Sequence, residues 1–506
     1  MSAASRTLAG RHAVVIGSGV SGLGAALELS ERGARVTILE RDEAPPAADS
    51  DVVFREWRRS GAPHVRHSHV FLGRLRNHLR DHHPGLLAAL MAAGARELKG
   101  TERPPLALRG LPPEPGDADI VAIGCRRITF ERVLRAYVLR QPGVGLRSGL
   151  TVTGLLATRH ETPIVSGIRY LEGEREKPMA AHFVVDASGR RSDAPEWLRA
   201  IDARPPYEVS ESSGVVYYTR FYRLRPGVAE PPQTEHPVAA DYDWIKYAIF
   251  PADDGVFSVT LAVPIAIQRL KILARVAAFD ALVESIPALA PWVAGSTSEP
   301  VDDPLHPVQA MGGLINRLRR FVDDRGPIAL RFFVLGDAAY CTNPLYGRGC
   351  TQALLHAYAL AVALERSSGD PAAAAIELDR WGRATLEPFY RASILADRDA
   401  VRRAEGRAPR RLEARFRERF FRDGVAIAMR CDPVVYRAFL RMLNMLETPE
   451  EAFGKPEVVL RCLWVMVRSD DYKQRYPLPP LESCDRILAR CEAALERAGQ
   501  AAAGVQ

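Results

Sequence analysis

Long hydrophobic runs are missing from this 506-residue chain, because no stretch of 18 or more consecutive residues is apolar. A helix that crosses a bilayer needs about 20 such residues. Residues 1–15 also lack the apolar segment of a secretory signal. We therefore expect a cytoplasmic protein whose membrane contact is at most peripheral.

Metal-binding and hydrolytic motifs are absent as well. The seven cysteines include no Cys-X-X-Cys pair, and no His-Glu-X-X-His, Gly-X-Ser-X-Gly or P-loop pattern occurs. His82 and His83 are neighbours on a predicted helix, where adjacent side chains diverge, and no acidic residue follows four positions later. The sequence thus predicts reduced thiols, no metal site, and neither hydrolase nor kinase chemistry.

The formal net charge of +7 is modest for this length, and no nucleic-acid-binding motif accompanies it. We expect solvated surface, with room for a docking patch for an acidic carrier protein or a phosphate-bearing partner. Apolar residues make up 47% of the chain, which is enough for the cores of two or three domains.

The chain does contain a glycine pattern at the junction of a strand and a helix. Within residues 13–41, Gly17, Gly19 and Gly22 follow an apolar strand and open an amphipathic helix. The first glycine permits the turn, the second lets a pyrophosphate approach the backbone, and the third lets helix and strand pack closely. Glu40 ends the next strand, where a carboxylate can accept the hydroxyls of an adenosine ribose. Together these features predict a dinucleotide site whose phosphates face a helix N-terminus.

Three later segments indicate which dinucleotide is bound. Residues 125–139 contain a short strand, Arg127 and a helix. Residues 180–192 form an apolar strand that ends in Asp-Ala-Ser-Gly-Arg, and residues 330–364 contain a strand, a Gly-Asp pair, a glycine-rich turn and a helix. In these motifs the chain resembles the FAD-dependent oxidoreductase superfamily that includes para-hydroxybenzoate hydroxylase, squalene epoxidase, geranylgeranyl reductase and the flavin-dependent halogenases. It looks most similar to bacterial flavin-dependent epoxidases and monooxygenases.

The resemblance implies FAD as the cofactor and assigns roles to individual residues. Asp337 is expected on the ribitol hydroxyls, and Arg127 near the FAD phosphates or ribitol. The turn at residues 343–349 is expected to start a helix aimed at the flavin, where a helix N-terminus stabilises negative charge. The residues predicted to bind the cofactor are Gly17, Gly19, Gly22, Glu40, Arg41, Arg127, Asp186, Gly336, Asp337, Pro344, Gly347 and Gly349.

The expected fold class is α/β with α+β insertions. It comprises a Rossmann-like FAD-binding domain of the glutathione reductase type 2 kind, an antiparallel-sheet substrate domain and a C-terminal helical region. The corresponding residues are 8–75, 118–195 and 325–380 for the FAD-binding domain, 76–117 and 196–324 for the substrate domain, and 381–506 for the helical region.

Aromatic and β-branched runs at residues 215–224, 243–250 and 256–267 predict strands, and a polar turn joins the last two as a hairpin. The resemblance places such a sheet over the flavin, with its inner face toward a hydrophobic small-molecule substrate. The alternative is that these aromatic residues form the core of the sheet. The candidates for substrate contact are Tyr218, Phe221, Trp244 and Tyr247.

Residues 66–70 read Arg-His-Ser-His-Val and precede a predicted helix. If this segment is extended, His67 and His69 lie on one side of it. The resemblance places the segment close to the isoalloxazine. Because imidazole titrates near neutrality, the two histidines are candidates for hydrogen bonding to the flavin, positioning a substrate or shuttling protons. The alternative is a structural role.

The resemblance also implies that the flavin carries the chemistry. The first hypothesis is a monooxygenase that inserts one oxygen atom from O2 into a hydrophobic substrate, by epoxidation or hydroxylation, through a flavin C4a-hydroperoxide. The alternative is a C=C reductase or dehydrogenase of an isoprenoid- or polyketide-like substrate, and a flavin-binding module without turnover is a third hypothesis. Halogenation is disfavoured because the Trp-X-Trp-X-Ile-Pro signature is absent.

The source of electrons stays open. The aromatic hydroxylases carry Asp-Gly where this chain has Asp186 followed by Ala187, which weakens the case for direct reduction by NADPH. The chain has one convincing dinucleotide fingerprint. NAD(P)H is therefore expected either as a transient electron donor or as the donor to a separate flavin reductase or carrier protein.

Overall fold

The computed structural model describes residues 7–301, 306–408 and 411–503. The strands β1 to β22, in chain order, are His12–Ile16, Arg35–Leu39, Val70–Phe71, Arg96–Lys99, Val121–Gly124, Val144–Arg147, Thr151–Thr158, Ile164–Glu172, Arg175–Ala180, Phe183–Asp186, Tyr207–Ser212, Val215–Leu224, Ala239–Asp241, Lys246–Pro251, Val256–Pro264, Ser298–Pro300, Gln309–Met311, Ile315–Arg320, Val322–Asp323, Gly326–Pro327, Phe332–Val334 and Tyr340–Cys341. The helices α1 to α18 are Val20–Glu31, Ser50–Glu56, Gly73–His82, Pro84–Ala92, Arg127–Val138, Ala194–Ala200, Val276–Ser285, Ala290–Val293, Arg348–Arg366, Pro371–Thr385, Glu387–Ala404, Leu412–Arg419, Ala426–Cys431, Pro433–Leu443, Pro449–Phe453, Pro456–Met466, Asp470–Lys473 and Cys484–Ala503.

A five-stranded parallel sheet has the strand order β21-β10-β1-β2-β6. Every residue of β1 and β10 is buried, which explains why these strands read as continuous apolar runs rather than alternating ones. Side chains of α1 and α9, including Leu27 and Leu360, belong to the core on one face of this sheet. The predicted α/β class with a Rossmann-like sheet is confirmed.

Three of the predicted motifs meet at one edge of this sheet. In the register of the strands, Ile16 at the end of β1 pairs with Asp186, and Asp186 pairs with Val334. The glycine turn, the Asp-Ala-Ser-Gly-Arg segment and the Gly-Asp pair each follow one of these strands. Their convergence is a consequence of parallel pairing, because all carboxyl ends then lie on the same side.

The predicted antiparallel sheet is also present, in the order β13-β14-β15-β12-β16 with β17 on β12. The hairpin expected between residues 243–250 and 256–267 is the β14–β15 pair. One face of this sheet packs against α7 and α18, which contribute Phe279 and Leu488 to a shared core.

The described residues after Pro371 are mostly helical, from α10 to α18. The charge-rich pattern of the C-terminal sequence predicts these helices. Asp397 on α11 connects this region to the rest of the fold, because its two carboxylate oxygens accept hydrogen bonds from Asn316 Nδ2 and Asn343 Nδ2, each at 2.7 Å. Among residues 7–301, 306–408 and 411–503, no helix combines the length and apolar character that a membrane crossing requires.

Candidate functional site

The glycine turn after β1 combines two packing requirements with one open position. Gly17 has a φ of +96°, and a Cβ atom there would lie 2.8 Å from the carbonyl oxygen of Ala187. A Cβ atom on Gly22 would lie 1.9 Å from the carbonyl oxygen of Gly17. Gly19, the N-cap of α1, has no atom within 4 Å of its Cβ position. The space beside this helix N-terminus fits a phosphate group.

A cavity opens over this turn. The predicted cofactor-binding residues in its wall are Gly17, Gly19, Glu40, Arg41, Arg127, Asp337, Pro344, Gly347 and Gly349. Gly22, Asp186 and Gly336 do not line it. Gly336 has a φ of +59° and is needed for packing, because a Cβ atom there would lie 2.8 Å from Ser21 Oγ on α1.

Glu40 is more deeply buried than a partly exposed ribose ligand would be, with 5% of its surface accessible. Its Oε2 accepts hydrogen bonds from Ser18 N at 2.8 Å and Ser18 Oγ at 2.6 Å, and Arg59 Nη1 lies 3.1 Å away. Burial opposes ionisation, but the charge of Arg59 and the Ser18 donors outweigh it, so the pKa of Glu40 is lowered. Arg59 also lines the cavity, and no motif in the sequence pointed to it.

The two predicted cofactor-binding aspartates differ in their surroundings. Asp186 is fully buried, and its carboxylate accepts hydrogen bonds from Ser188 N at 2.9 Å, Ser188 Oγ at 2.5 Å and Ser192 Oγ at 2.5 Å. It therefore shapes the turn that lines the cavity and does not face the cavity itself, contrary to the prediction. Asp337 does line the cavity, and Arg190 Nη2 lies 3.8 Å from its Oδ2. That separation is too long for a hydrogen bond, so this carboxylate can accept hydroxyls of a ligand.

The adjacent arginines of the 125–139 segment also have different roles. Arg126 is buried and forms an ion pair with Asp253, with 2.7 Å between Nη2 and Oδ2. Arg127 donates to Glu131 Oε1 at 2.8 Å and lines the cavity. The sequence singled out the arginine that reaches the cavity.

The second glycine turn lies at the other end of the cavity. Asn343 caps it by accepting a hydrogen bond from Leu345 N at 3.2 Å, and Gly347 has a φ of +65° immediately before α9 begins at Arg348. The hydroxyl of Tyr217 on the antiparallel sheet donates to Asn343 Oδ1. This arrangement directs a 19-residue helix N-terminus at the cavity, as the resemblance implied.

The histidine pair at the cavity is not the predicted one. His69 lines the cavity, but its neighbour there is His64, with 6.2 Å between the ring centroids. Residues Pro63–Arg66 form a 3-10 helix that overlaps the predicted 66–70 segment only at Arg66, and His67 has an extended backbone conformation. His67 does not line the cavity, and its Nδ1 lies 3.0 Å from Thr219 Oγ1 on β12. The sequence offered no signal for His64 beyond its closeness to the other two.

All three histidines of this segment are held in the neutral form. Burial, followed by the charge of Arg127, lowers the pKa of His69 to about 3. Burial, followed by the charge of Arg190, lowers the pKa of His67 to about 4. The pKa of His64 is also well below its usual value, chiefly through burial. The expectation of imidazoles that titrate near neutrality is therefore wrong for this site.

The predicted substrate aromatics are part of the protein core, and in the described part of the chain none of them lines the cavity. Tyr218 and Tyr247 are buried against α7 and α18, and Trp244 packs onto the same core. Phe221 packs edge-on against Phe54, with 5.0 Å between the centroids. The alternative assignment of these residues to the sheet core is the one the structure bears out.

The opposite face of the sheet carries hydroxyl groups. Ser68, which lines the cavity, is 2.6 Å from Ser258 Oγ and 2.5 Å from Thr260 Oγ1 through its own Oγ. Thr260 Oγ1 is in turn 2.7 Å from Thr219 Oγ1. A side-chain network thus links the cavity wall to two strands and, through Thr219, to His67. Sequence periodicity placed the aromatic residues on a face but did not reveal which face meets the cavity.

The chain belongs to a family of flavin enzymes: the family described as FAD dependent oxidoreductase matches residues 12–362. FAD is accordingly the cofactor.

Among curated proteins, the chain is similar to Protein Rv3254 of Mycobacterium tuberculosis (strain ATCC 25618 / H37Rv). The two are 28% identical over 460 residues, which cover 86% of this chain and 90% of the relative.

Solved structures share the fold at low sequence identity. The myxobacterial chondrochloren halogenase CndH has a TM-score of 0.59 at 20% identity and covers 91% of this chain and 98% of its own. The anhydrotetracycline hydroxylase OxyS from Streptomyces rimosus has a TM-score of 0.55 at 19% identity, with 87% and 76% covered. PqsL of P. aeruginosa, in complex with 2-aminobenzoylacetate, has a TM-score of 0.54 at 18% identity, with 78% and 97% covered.

Proposed function

We propose that this protein is an FAD-dependent monooxygenase that inserts one oxygen atom from O2 into a hydrophobic small molecule, by epoxidation or hydroxylation. When bound, FAD supplies the redox chemistry by accepting two electrons from a nicotinamide donor, directly or through a reductase, and activating O2. The protein contributes binding, orientation and the exclusion of water.

Residues at both ends of the cavity fit FAD. The open position at Gly19 and the N-terminus of α1 would receive the pyrophosphate, and Glu40 the adenosine ribose. Asp337 would accept the ribitol hydroxyls. The turn at residues 344–349 and the start of α9 would then lie beside the isoalloxazine, where the helix dipole favours the negative charge of the reduced ring.

The observation that carries the proposal is the wall formed by the half-buried His64 and His69 beside Arg127. Oxygen insertion requires a site closed to bulk water, because water diverts activated oxygen to hydrogen peroxide. His64 and His69 are partly shielded from water in the cavity wall, and burial is the largest cause of their lowered pKa values. A wall of neutral imidazoles excludes water and keeps hydrogen-bonding capacity for a substrate.

The tautomer of His69 follows from its partner. Its Nδ1 lies 2.9 Å from the carbonyl oxygen of His67, which can only accept a hydrogen bond, so Nδ1 carries the proton. In the neutral ring, Nε2 is then an acceptor. His69 can therefore orient a hydroxyl group or another donor in the cavity, and it has no proton to give from Nε2.

Oxygen consumption tests this proposal against its alternative. The FAD-loaded protein is reduced with NAD(P)H and with dithionite, and is mixed with a panel of polyenes and polyketide-like aromatic compounds with and without ¹⁸O2. A monooxygenase releases a product that carries one ¹⁸O atom and consumes one equivalent of O2 per product. Product formed equally well without air identifies the alternative, a C=C reductase or dehydrogenase, and contradicts the proposal.

The same experiment identifies the electron donor. If NAD(P)H alone bleaches the flavin within the time of turnover, direct reduction applies. If only dithionite does so, the electrons come from a separate reductase or carrier. FAD-free protein prepared from the same batch serves as the control for uncatalysed oxidation.

A further inference from the structure

A buried cluster of two imidazoles and a carboxylate lies on the FAD-binding unit, away from the cavity described above. His78 Nε2 is 2.9 Å and His83 Nε2 is 2.8 Å from the same oxygen of Glu28, Oε1. The three ligand-capable atoms lie within 4.8 Å of one another, and all three residues are buried. Glu28 belongs to α1 and His78 to α3, while His83 connects α3 to α4.

The sequence did not reveal this cluster, because adjacency in the chain pairs His83 with His82. Those two rings do diverge, with 6.5 Å between their centroids. The partners of His83 come instead from the preceding turn of α3 and from α1, which lies some fifty residues earlier in the chain. The exclusion of a metal role for His83 is therefore not supported by the fold.

We propose that Glu28, His78 and His83 bind a zinc ion. Two imidazole nitrogens and one carboxylate oxygen form a donor set that Zn²⁺ takes in proteins, with a water molecule in the fourth position. Zinc bonds of about 2.0–2.1 Å at tetrahedral angles set donor atoms about 3.3 Å apart. The two nitrogen–oxygen separations are 2.8 and 2.9 Å, so each has to widen by roughly half an ångström, a change that small side-chain rotations supply.

The surroundings match those of a metal-binding histidine. The other ring nitrogen of His83, Nδ1, is buried and faces Glu31 Oε1 at 3.1 Å. A carboxylate on the second nitrogen of a ligating imidazole fixes its orientation and strengthens it as a donor. This feature is independent of the convergence of the three ligands.

The local charge also favours a divalent cation. Arg32 lies 3.2 Å from the second oxygen of Glu28 and 3.0 Å from Glu365. With Glu31, the cluster holds three carboxylates against one guanidinium. Despite burial, Glu28 and Glu31 raise the pKa of His83 to about 9, so zinc would take the place of the proton on this imidazole. The ion would tie the helix that carries the pyrophosphate-binding N-terminus to α3 and α4, and so contribute to the rigidity of the FAD-binding unit.

Zinc content and thermal stability test the proposal on the FAD-loaded full chain. After loading with ZnCl2 and dialysis, elemental analysis should find about one zinc ion per chain in the wild type and in His160→Ala, an exposed histidine on a loop. His78→Ala and His83→Ala should lower bound zinc at least about tenfold, while the FAD content measured from its absorbance is unchanged. Zinc should raise the melting temperature of the wild type and of His160→Ala, and not that of the two ligand variants.

The wild type alone is sufficient to overturn the proposal if the variants fail to fold. A wild-type chain that retains no zinc after loading and whose melting temperature zinc does not change would show that the cluster is an ion pair only. Equal zinc content in His78→Ala, His83→Ala and the wild type would place the ion elsewhere and contradict the assignment.

Discussion

Gly22 and Gly17 are packed so closely that a Cβ atom on Gly22 would lie 1.9 Å from the carbonyl oxygen of Gly17. Gly19, between them in the chain, has nothing within 4 Å of its own Cβ position. Gly17 and Gly22 are therefore required for packing of the folded chain, whereas a side chain at Gly19 would only exclude a ligand. Matched substitutions at these positions separate folding from FAD binding.

Gly19→Val should leave the FAD-free protein as stable as the FAD-free wild type and weaken FAD binding at least about tenfold, since the new side chain occupies the space of the pyrophosphate. Gly22→Val should instead lower the stability of the FAD-free protein by about 1–3 kcal/mol or more through overpacking. Melting temperature without FAD and titration with FAD measure the two effects. Undiminished FAD affinity in Gly19→Val would refute the position of the phosphate.

The two aspartates offer a second matched pair. Asp337→Asn removes the charge of a hydrogen-bond acceptor that lines the cavity and should cost about 1.5–3 kcal/mol in FAD affinity, or roughly tenfold to a hundredfold. Asp186→Asn puts an amide where three donors converge and should cost about 1–3 kcal/mol of stability without FAD. Fluorescence titration and thermal unfolding of both variants check this pair. If Asp337→Asn bound FAD as well as the wild type, its role as ribitol ligand would be wrong.

His69 and His67 form a third pair, in which one residue should affect the reaction and the other the stability of the fold. His69→Ala should retain FAD but release more of the reduced flavin's electrons as hydrogen peroxide, because a wall of the desolvated cavity is opened. His67→Ala should leave this coupling nearly unchanged and lower stability by about 1–3 kcal/mol, because Thr219 loses a buried hydrogen-bond partner. Peroxide yield per NAD(P)H, or per dithionite-reduced flavin, distinguishes them. Equal coupling in both variants and the wild type would mean that His69 does not face the reaction.

Acidification should destabilise the protein through His67 and His69. An unfolded histidine has a pKa of about 6.5, whereas the pKa values of His67 and His69 in the fold are about 4 and about 3. Between these values the unfolded chain binds more protons than the folded one, so stability falls as the pH drops from about 6.5 toward 4. For His67 the loss across that window is on the order of 3 kcal/mol.

Thermal unfolding between pH 7.5 and 4.5 with saturating FAD measures this dependence. His67→Asn keeps a hydrogen-bonding group near Thr219 but does not titrate, and it should flatten the decline. His160→Asn, at an exposed histidine, should follow the wild type. A decline of equal steepness in His67→Asn and the wild type would show that His67 is not held neutral in the fold.

Asp397, on α11, is expected to stabilise the second glycine turn through its hydrogen bond with Asn343. Asp397→Ala leaves the amides of Asn316 and Asn343 without their acceptor, which should cost about 1–3 kcal/mol of stability and weaken FAD binding by loosening the turn that begins at Asn343. Asp399→Ala, on the same helix and with only surface ion pairs, is the control. Unaltered stability of Asp397→Ala would show that the turn is held by its own capping bond.

The sequence by itself determined the cofactor-binding half of the molecule. Strand, glycines, helix and terminal acid are local in the chain, and parallel strands bring the segments that follow them to one edge. For this reason the glycine pattern alone predicts Gly19 and Glu40 as cofactor-binding residues, the family resemblance implies Arg127 and Asp337, and all four line the cavity. The sequence also predicted the β14–β15 hairpin, because its two strands are adjacent in the chain and one polar turn joins them.

Only the tertiary structure decided which side chains of the antiparallel sheet and of residues 63–69 face the cavity. Alternation along β12 separates Tyr217 and Thr219 from Tyr218, but which set is covered by helices depends on α7 and on α18, which lies more than two hundred residues later. His64 lines the cavity with His69, while the ring of His67 lies against Thr219 on β12. Glu28, His78 and His83 meet because side chains from α1, from α3 and from the α3–α4 connection converge. Contacts between segments distant in sequence leave no periodic signature, so the chain alone could not reveal them.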